Sequence, residues 1–271
     1  MSAGIEFTPL SNEQIIEMAP AVGAERPMLG VSDRYDFIPT FTAVDLLRDA
    51  GWQPVEAKQV AVNTLDRAGF QRHMVRFAMP GMDLGEERLD MLLYNSHDTG
   101  CAFRLLAAIW RYICRNGLKT TNEMYNFTHL HINFDADKFV TSAGAIARSV
   151  AQIAPQIESM KQIELTPTQR VEFAEQVKFD VWGDKARVTT DALLQERRYG
   201  DMGNDLWRTF NVVQENVVKG GVKGYVTTNA GQANEGVREF KTRAVKSLVR
   251  DLNINRRMWD ITEDFAERLA A

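Results

Sequence analysis

Residues 95–119, NSHDTGCAFRLLAAIWRYICRNGLK, constrain this chain more than any other stretch. Polar residues open it, and Asp98 or Thr99 could accept hydrogen bonds from the first free N–H groups of a helix. Arg115-Asn116-Gly117 closes it, with a cation for the negative end of a helix dipole and a glycine for the left-handed position beyond the last turn. Between these ends lie Phe103, Leu105, Leu106, Ile109, Trp110, Tyr112 and Ile113. The pattern predicts a long central helix. On such a helix Arg104, Arg111 and Arg115 fall within about 40° of one another and form one cationic stripe on a buried cylinder. No Asp or Glu occurs between positions 99 and 122, and Lys119 adds a fourth cation. Either the stripe is a solvated edge of snorkelling arginines, or it faces phosphate, because unpaired buried guanidinium groups are costly.

What precedes the helix reads as a small sheet. Residues 1–26 form an N-terminal arm in which Ser11 could cap a short helix that ends before Pro20. The arm cannot bury a core alone, so it is expected on a neighbouring subunit. Thr40 or Thr42 caps a helix over 43–50 that Gly51 stops, with Trp52 as its anchor. Three strands are expected at 55–62, 71–79 and 88–95, joined by loops containing Gly69 and then Pro80, Gly81 and Gly85. Arg72 and Arg76 share one face of the second strand, in a stretch without acids from position 67 to 82.

After the central helix, residues 127–134 alternate as a further strand, and from 137 onward the chain turns helical. Helices are expected over 141–163, from Pro167, over 191–198 and over 205–219, the last ended by Gly220-Gly221. Residues 221–234 read as an exposed loop, followed by a basic helix at 235–252 and an acidic one at 260–269. The fold class is therefore α+β: an antiparallel β-meander packed on a long central helix (27–140), followed by a helical C-terminal region (141–271).

Composition narrows the function classes. Hydrophobic residues make up 45% of the chain and charged ones 25%, as in an ordinary globular protein, and no apolar run is long enough for a transmembrane helix. The N-terminus lacks a basic segment followed by an apolar core, so a cytoplasmic protein with two reduced cysteines is expected. The net charge of −4 is unevenly spread. Residues 219–258 hold nine cations against three anions, which points to a local polyanion groove rather than indiscriminate binding.

Two constellations carry candidate chemistry. His97 and Asp98 with His129 and His131 could support a metal-dependent nuclease or hydrolase, since two His at i, i+2 on a strand can reach one ion. His129 and His131 serve equally as polar residues on a wet strand, so no metal, cofactor or catalytic residue is assigned. The second constellation is basic and aromatic: Arg72, His73 and Arg76 on a strand; Arg104, Arg111, Arg115 and Lys119 beside it; and Asn211, Gln214, Lys219 and Lys223 further on. Asn211 and Gln214 could bond bases or phosphates, or simply solvate a helix surface. Together these residues have the composition of a groove that follows a nucleic-acid backbone.

The strings NSHDTGCAFRLLAAIWRYICRNGL and LWRTFNVVQENVVKGG, with SDRYDFIPT, the Gly-Trp after the first helix and RHMVRF, resemble a phage- and plasmid-related family known only as domain of unknown function 932. The likeness runs from about position 26 to 259 and implies no established activity. In the order of its elements the chain is also similar to the core of single-strand annealing recombinases, which hold DNA in a basic groove of a ring or filament. That second likeness implies single-stranded DNA binding and strand annealing in phage or mobile-element recombination, by a homo-oligomer that needs no catalytic residue. A regulatory binder of a host protein is the remaining alternative.

Overall fold

The computed structural model describes residues 7–83, 85–111, 116–119, 126–129, 131, 134–148, 150–185, 187–228, 231–232 and 235–270. The chain divides into two units, Met1–Gln152 and Ile153–Ala271. In the first, Ser11 forms a capping box with Gln14 and starts helix α1 (Asn12–Met18). Helix α2 (Thr40–Asp49) follows, with Ala43, Val44 and Leu47 buried. Gly51 then turns the chain at φ 91°, and Trp52 is buried where the sheet begins.

The sheet is antiparallel throughout. Its first strands are β1 (Gln53–Gln59), β2 (His73–Ala78) and β3 (Glu87–Asn95), near the expected positions. The long central helix is not formed. Residues 95–119 instead carry the end of β3, a loop, β4 (Phe103–Arg111) and β5 (Asn116–Lys119). The physical reason is burial on both faces. All nine residues of β3 are buried, and so are Phe103 and residues 105–109 of β4. A strand covered on both sides loses its period of two, and its unbroken apolar run then matches a helical template equally well.

The supposed helix cap is a turn. Thr99 takes a positive φ of 62°, and the Asp98 carboxylate accepts the Gly100 N–H at 2.9 Å. Strand geometry also removes the arginine stripe, because positions 104 and 111 have opposite parity. Arg115 lies outside the described residues.

Strand β6 (Asn126–His129) is shorter than the expected 127–134. It pairs with residues 103–106 of β4, while β5 pairs with residues 108–111 of the same edge. Helix α3 (Ala136–Arg148) closes the first unit over this part of the sheet, with Phe139 against Phe103 at 5.5 Å between ring centroids. From Phe7 onward the arm rests on its own unit. Leu10 N–H donates to Pro54 O at 2.7 Å, Arg48 donates to Asn12, and Ile15, Ala21 and Val22 are fully buried.

The second unit is helical, as expected. It contains most of α4 (Val150–Gln162), then α5 (Pro167–Trp182), α6 (Thr190–Leu193), α7 (Leu206–Lys219) and α8 (Leu248–Ala270). Thr166 caps α5 with Pro167 in its first turn, and Asp205 caps α7. The core is aromatic: Phe173 meets Phe265 at 5.5 Å, Trp207 stacks on Phe210 at 5.4 Å, and Trp259 meets Trp207 edge-on at 6.3 Å.

The expected loop at 221–234 and basic helix at 235–252 are not observed. Their place is taken by an antiparallel ribbon of β7 (Lys223–Thr228) and β8 (Gly236–Lys241), and α8 begins only at Leu248. Tyr225-Val226-Thr227-Thr228 is a β-forming run, and its flanking glycines read as a loop when no partner strand is visible. The α+β class stands, with the antiparallel sheet in the first unit and helices dominating the second.

Candidate nucleic-acid interface

In the first unit the polar residues of the motif strings are drawn into a buried cluster. Thr40 opens α2, yet its hydroxyl does not cap that helix. It lies 2.7 Å from His73 Nε2, 3.2 Å from His97 Nε2 and 3.0 Å from Asn95 Nδ2. Nδ1 of His73 faces the Gln71 carbonyl at 2.9 Å, which can only accept, so that nitrogen carries the proton. The Thr40 hydroxyl therefore donates to His73 Nε2 and accepts from Asn95 and His97. Burial lowers the His73 pKa to about 4 and that of His97 to about 3, so both rings are neutral near pH 7.

Around this pair, Arg67 donates twice to Asp98, at 2.5 and 3.0 Å. Arg72 donates to the Gly100 carbonyl. Tyr35 stacks on His131 at 4.5 Å and donates to Ser96 O at 2.7 Å; burial pushes its phenol pKa up. Among the described residues, no three His, Cys, Asp or Glu side chains come together as a metal-ligand set.

Of the expected groove residues of this unit, Arg72, His73 and Arg76 are engaged within it. His73 is fully buried. Arg76 bridges Glu56 at 2.8 Å and Asp90 at 2.6 Å, and Arg88 bonds the other Asp90 oxygen at 2.6 Å. The sequence around Arg76 lacks acids, but strand pairing brings Glu56 and Asp90 from neighbouring strands. Arg104 is half-buried, with its Nε buried and unbonded among the described residues. Arg111 ends β4 opposite Glu87 and Asn116, and Lys119 of β5 pairs with Ala108 of β4.

In the second unit the polar face of α7 is turned inward. Asn211 bonds the Trp207 carbonyl at 2.7 Å, and Gln214 bonds Asn255 at 2.6 Å. Asn216 bonds the carbonyls of Leu193 and Gln195. Glu215 receives Lys219 at 2.6 Å and pairs with Arg198, and these cations hold its carboxyl below the usual range despite burial. Gln214 thus ties α7 to α8, Asn211 bonds back within α7, and both are buried away from any base.

The ribbon beyond α7 has two unlike faces. Lys223, Tyr225, Thr227, Val237, Glu239 and Lys241 share one face, and all six are exposed. Lys223 stands directly opposite Lys241, an unfavourable like-charge pair. Glu239 relieves Lys223 only from 3.8 Å. The other face turns Phe240 over Gly224, where a Cβ would come within 2.6 Å of its ring. Phe240 and Trp182, the last residue of α5, line a cavity of about 500 Å³.

Lys241, Arg243, Lys246 and Arg250 also line that cavity, and among the described residues no Asp or Glu does. All four are exposed, and none is ion-paired among the described residues. The sequence shows these four among the nine cations of this region but does not single them out as a site. On the expected helix Arg243, Lys246 and Arg250 would fall within about 60° of one another with Lys241 on the opposite side, whereas here all four follow one extended segment into the start of α8.

The family model of a domain of unknown function, DUF932, matches residues 28–259. Two proteins of Escherichia coli (strain K12), the UPF0380 proteins YafZ and YfjQ, are each 28% identical to the chain over 262 residues, covering 96% of it and 93% of each relative. No solved structure matches the chain.

Proposed function

The chain belongs to the DUF932 family, and from the geometry of its second unit we propose that it binds single-stranded DNA by the backbone and promotes the pairing of complementary strands. The observation that carries this reading is the row of Lys241, Arg243, Lys246 and Arg250, four exposed cations around one cavity with no carboxylate among its described lining residues. Like charges held together without counter-charge are unfavourable, and a polyanion that displaces condensed counterions relieves them. Contacts limited to phosphates fix a strand without reading its sequence and leave base edges free for a complement. Such an activity needs no catalytic residue. The role belongs to the second unit, since His73 and Arg76 are held inside the first.

Fluorescence anisotropy with a labelled single strand tests the proposal. Four phosphate contacts predict a slope of about −2.8 in log affinity against log salt, or about a 50-fold loss from ~50 to ~200 mM. The double change Arg243→Ala, Arg250→Ala should flatten the slope by about 1.4. It should also slow strand annealing in proportion to lost occupancy. A slope near zero, or undiminished affinity in the double variant, refutes the assignment.

A further inference from the structure

We propose that the cavity beside the cation row is a base-stacking subsite, which takes one unstacked base of a bound strand onto the rings of Trp182 and Phe240. The inference rests on the preceding reading and adds to it a contact that only an exposed base can make.

Five of the ten large rings of the second unit are committed to its core, and Phe179, Tyr199 and Tyr225 are exposed. Trp207, Phe210 and Trp259 pack on one another, and Phe173 packs on Phe265. Trp182 and Phe240 are both half-buried, both line the cavity, and neither makes a ring contact with another described residue. Their positions are set by backbone. Trp182 ends α5, where Gly183 at φ 69° turns the chain away. Phe240 lies over Gly224, which has no side chain to lift it.

Aromatic lining with four cations and the hydroxyls of Thr242 and Ser247 as its polar complement fits a ligand that is flat and apolar in one part and anionic in the next. A nucleotide within a single strand has that form, with its base on the rings and its phosphates on Arg243, Lys246 and Arg250. The cavity of about 500 Å³ is within the size range of clefts that enclose small ligands. Base stacking on an aromatic side chain tolerates any sequence, which suits a protein that leaves pairing edges free. In a duplex the same base is stacked and paired, so it cannot enter.

The test compares an oligothymidylate of about ten nucleotides with a strand of equal length built from abasic deoxyribose phosphates, at one salt concentration. The intact protein should bind the base-bearing strand about 5- to 150-fold more tightly. Trp182→Ala, and separately Phe240→Leu, should bring the thymidylate close to the abasic strand and leave abasic binding unchanged. Trp182→Phe should restore part of the difference. Equal binding of the two strands by the intact protein overturns the inference while the backbone reading stands. Equal weakening of both strands in the Trp182→Ala and Phe240→Leu variants also overturns it, because the rings would then be structural. Failure of the intact protein to bind either strand overturns the backbone reading together with the inference.

Discussion

Replacing Thr40 by Val changes little in shape but removes the hydroxyl shared by three buried partners. Asn95 Nδ2 keeps a second acceptor in the Ile38 carbonyl at 3.1 Å. His73 Nε2 and His97 Nε2 lose the one partner each has in this cluster, and both rings are fully buried. Two stranded polar groups at about 1–3 kcal/mol each predict a loss of about 2–6 kcal/mol. That is a large part of the 5–15 kcal/mol typical of a folded protein. Thr40→Ser keeps the hydroxyl and removes one methyl group, so it should cost about 1 kcal/mol. The measurement is urea unfolding followed through Trp52, which lies in the same unit, with the other tryptophans replaced by Phe in the reference protein. A midpoint shift worth less than about 1 kcal/mol for Thr40→Val, or a larger loss for Thr40→Ser, refutes the hydroxyl's role as hub.

The same histidines set an acid limit. Folded values near 4 and 3 lie below the ordinary value of 6.5, so the unfolded chain binds more protons in that interval. Their contribution to stability is unchanged above about pH 6.5 and falls below it, approaching about 2.7 kcal/mol per pH unit between pH 6 and 4. Unfolding midpoints that stay constant across that interval in a protein with both rings intact would contradict the burial argument. In the sheet, Asp90→Ala removes the carboxylate shared by Arg76 and Arg88 and should destabilise the first unit by about 3–5 kcal/mol. Asp90→Ala with Arg88→Met should recover part of that loss in thermal melts, and an additive loss would count against the shared pairing.

Local chemistry was the legible part of the sequence. Ser11 with Gln14, Thr166 with Pro167, and Asp205 before α7 each announce a helix start through contacts within four residues. The stretch after Asn95 misleads because its meaning lies in distant partners. Phe103, Leu105, Ala107 and Ile109 on one face of β4 and Leu106 and Ala108 on the other are all buried by distant partners, and the alternation that would identify the strand disappears. Thr40 looks like a cap because nothing in its neighbourhood reveals His73 or His97. Arg76 looks free for the same reason, with Glu56 and Asp90 supplied by adjacent strands. The cation row was visible as charge but not as a surface, since that needed the β7–β8 pairing and the half-buried rings behind it.

The first-unit sheet also bears on how copies of this protein could associate. At one side β1 carries a bulge beside Pro54, whose carbonyl already accepts the Leu10 N–H of the arm. At the other side the edge of β4 is divided between β5 and β6, each four residues long. Proline, a bulge, a covering segment and short terminal strands are the devices that discourage strand-to-strand joining between molecules. A ring or filament of this chain should therefore not arise by continuing the sheet from one copy to the next. It would be built from side-chain surfaces, and its assembly should tolerate backbone changes at β1 that would abolish an extended intermolecular sheet.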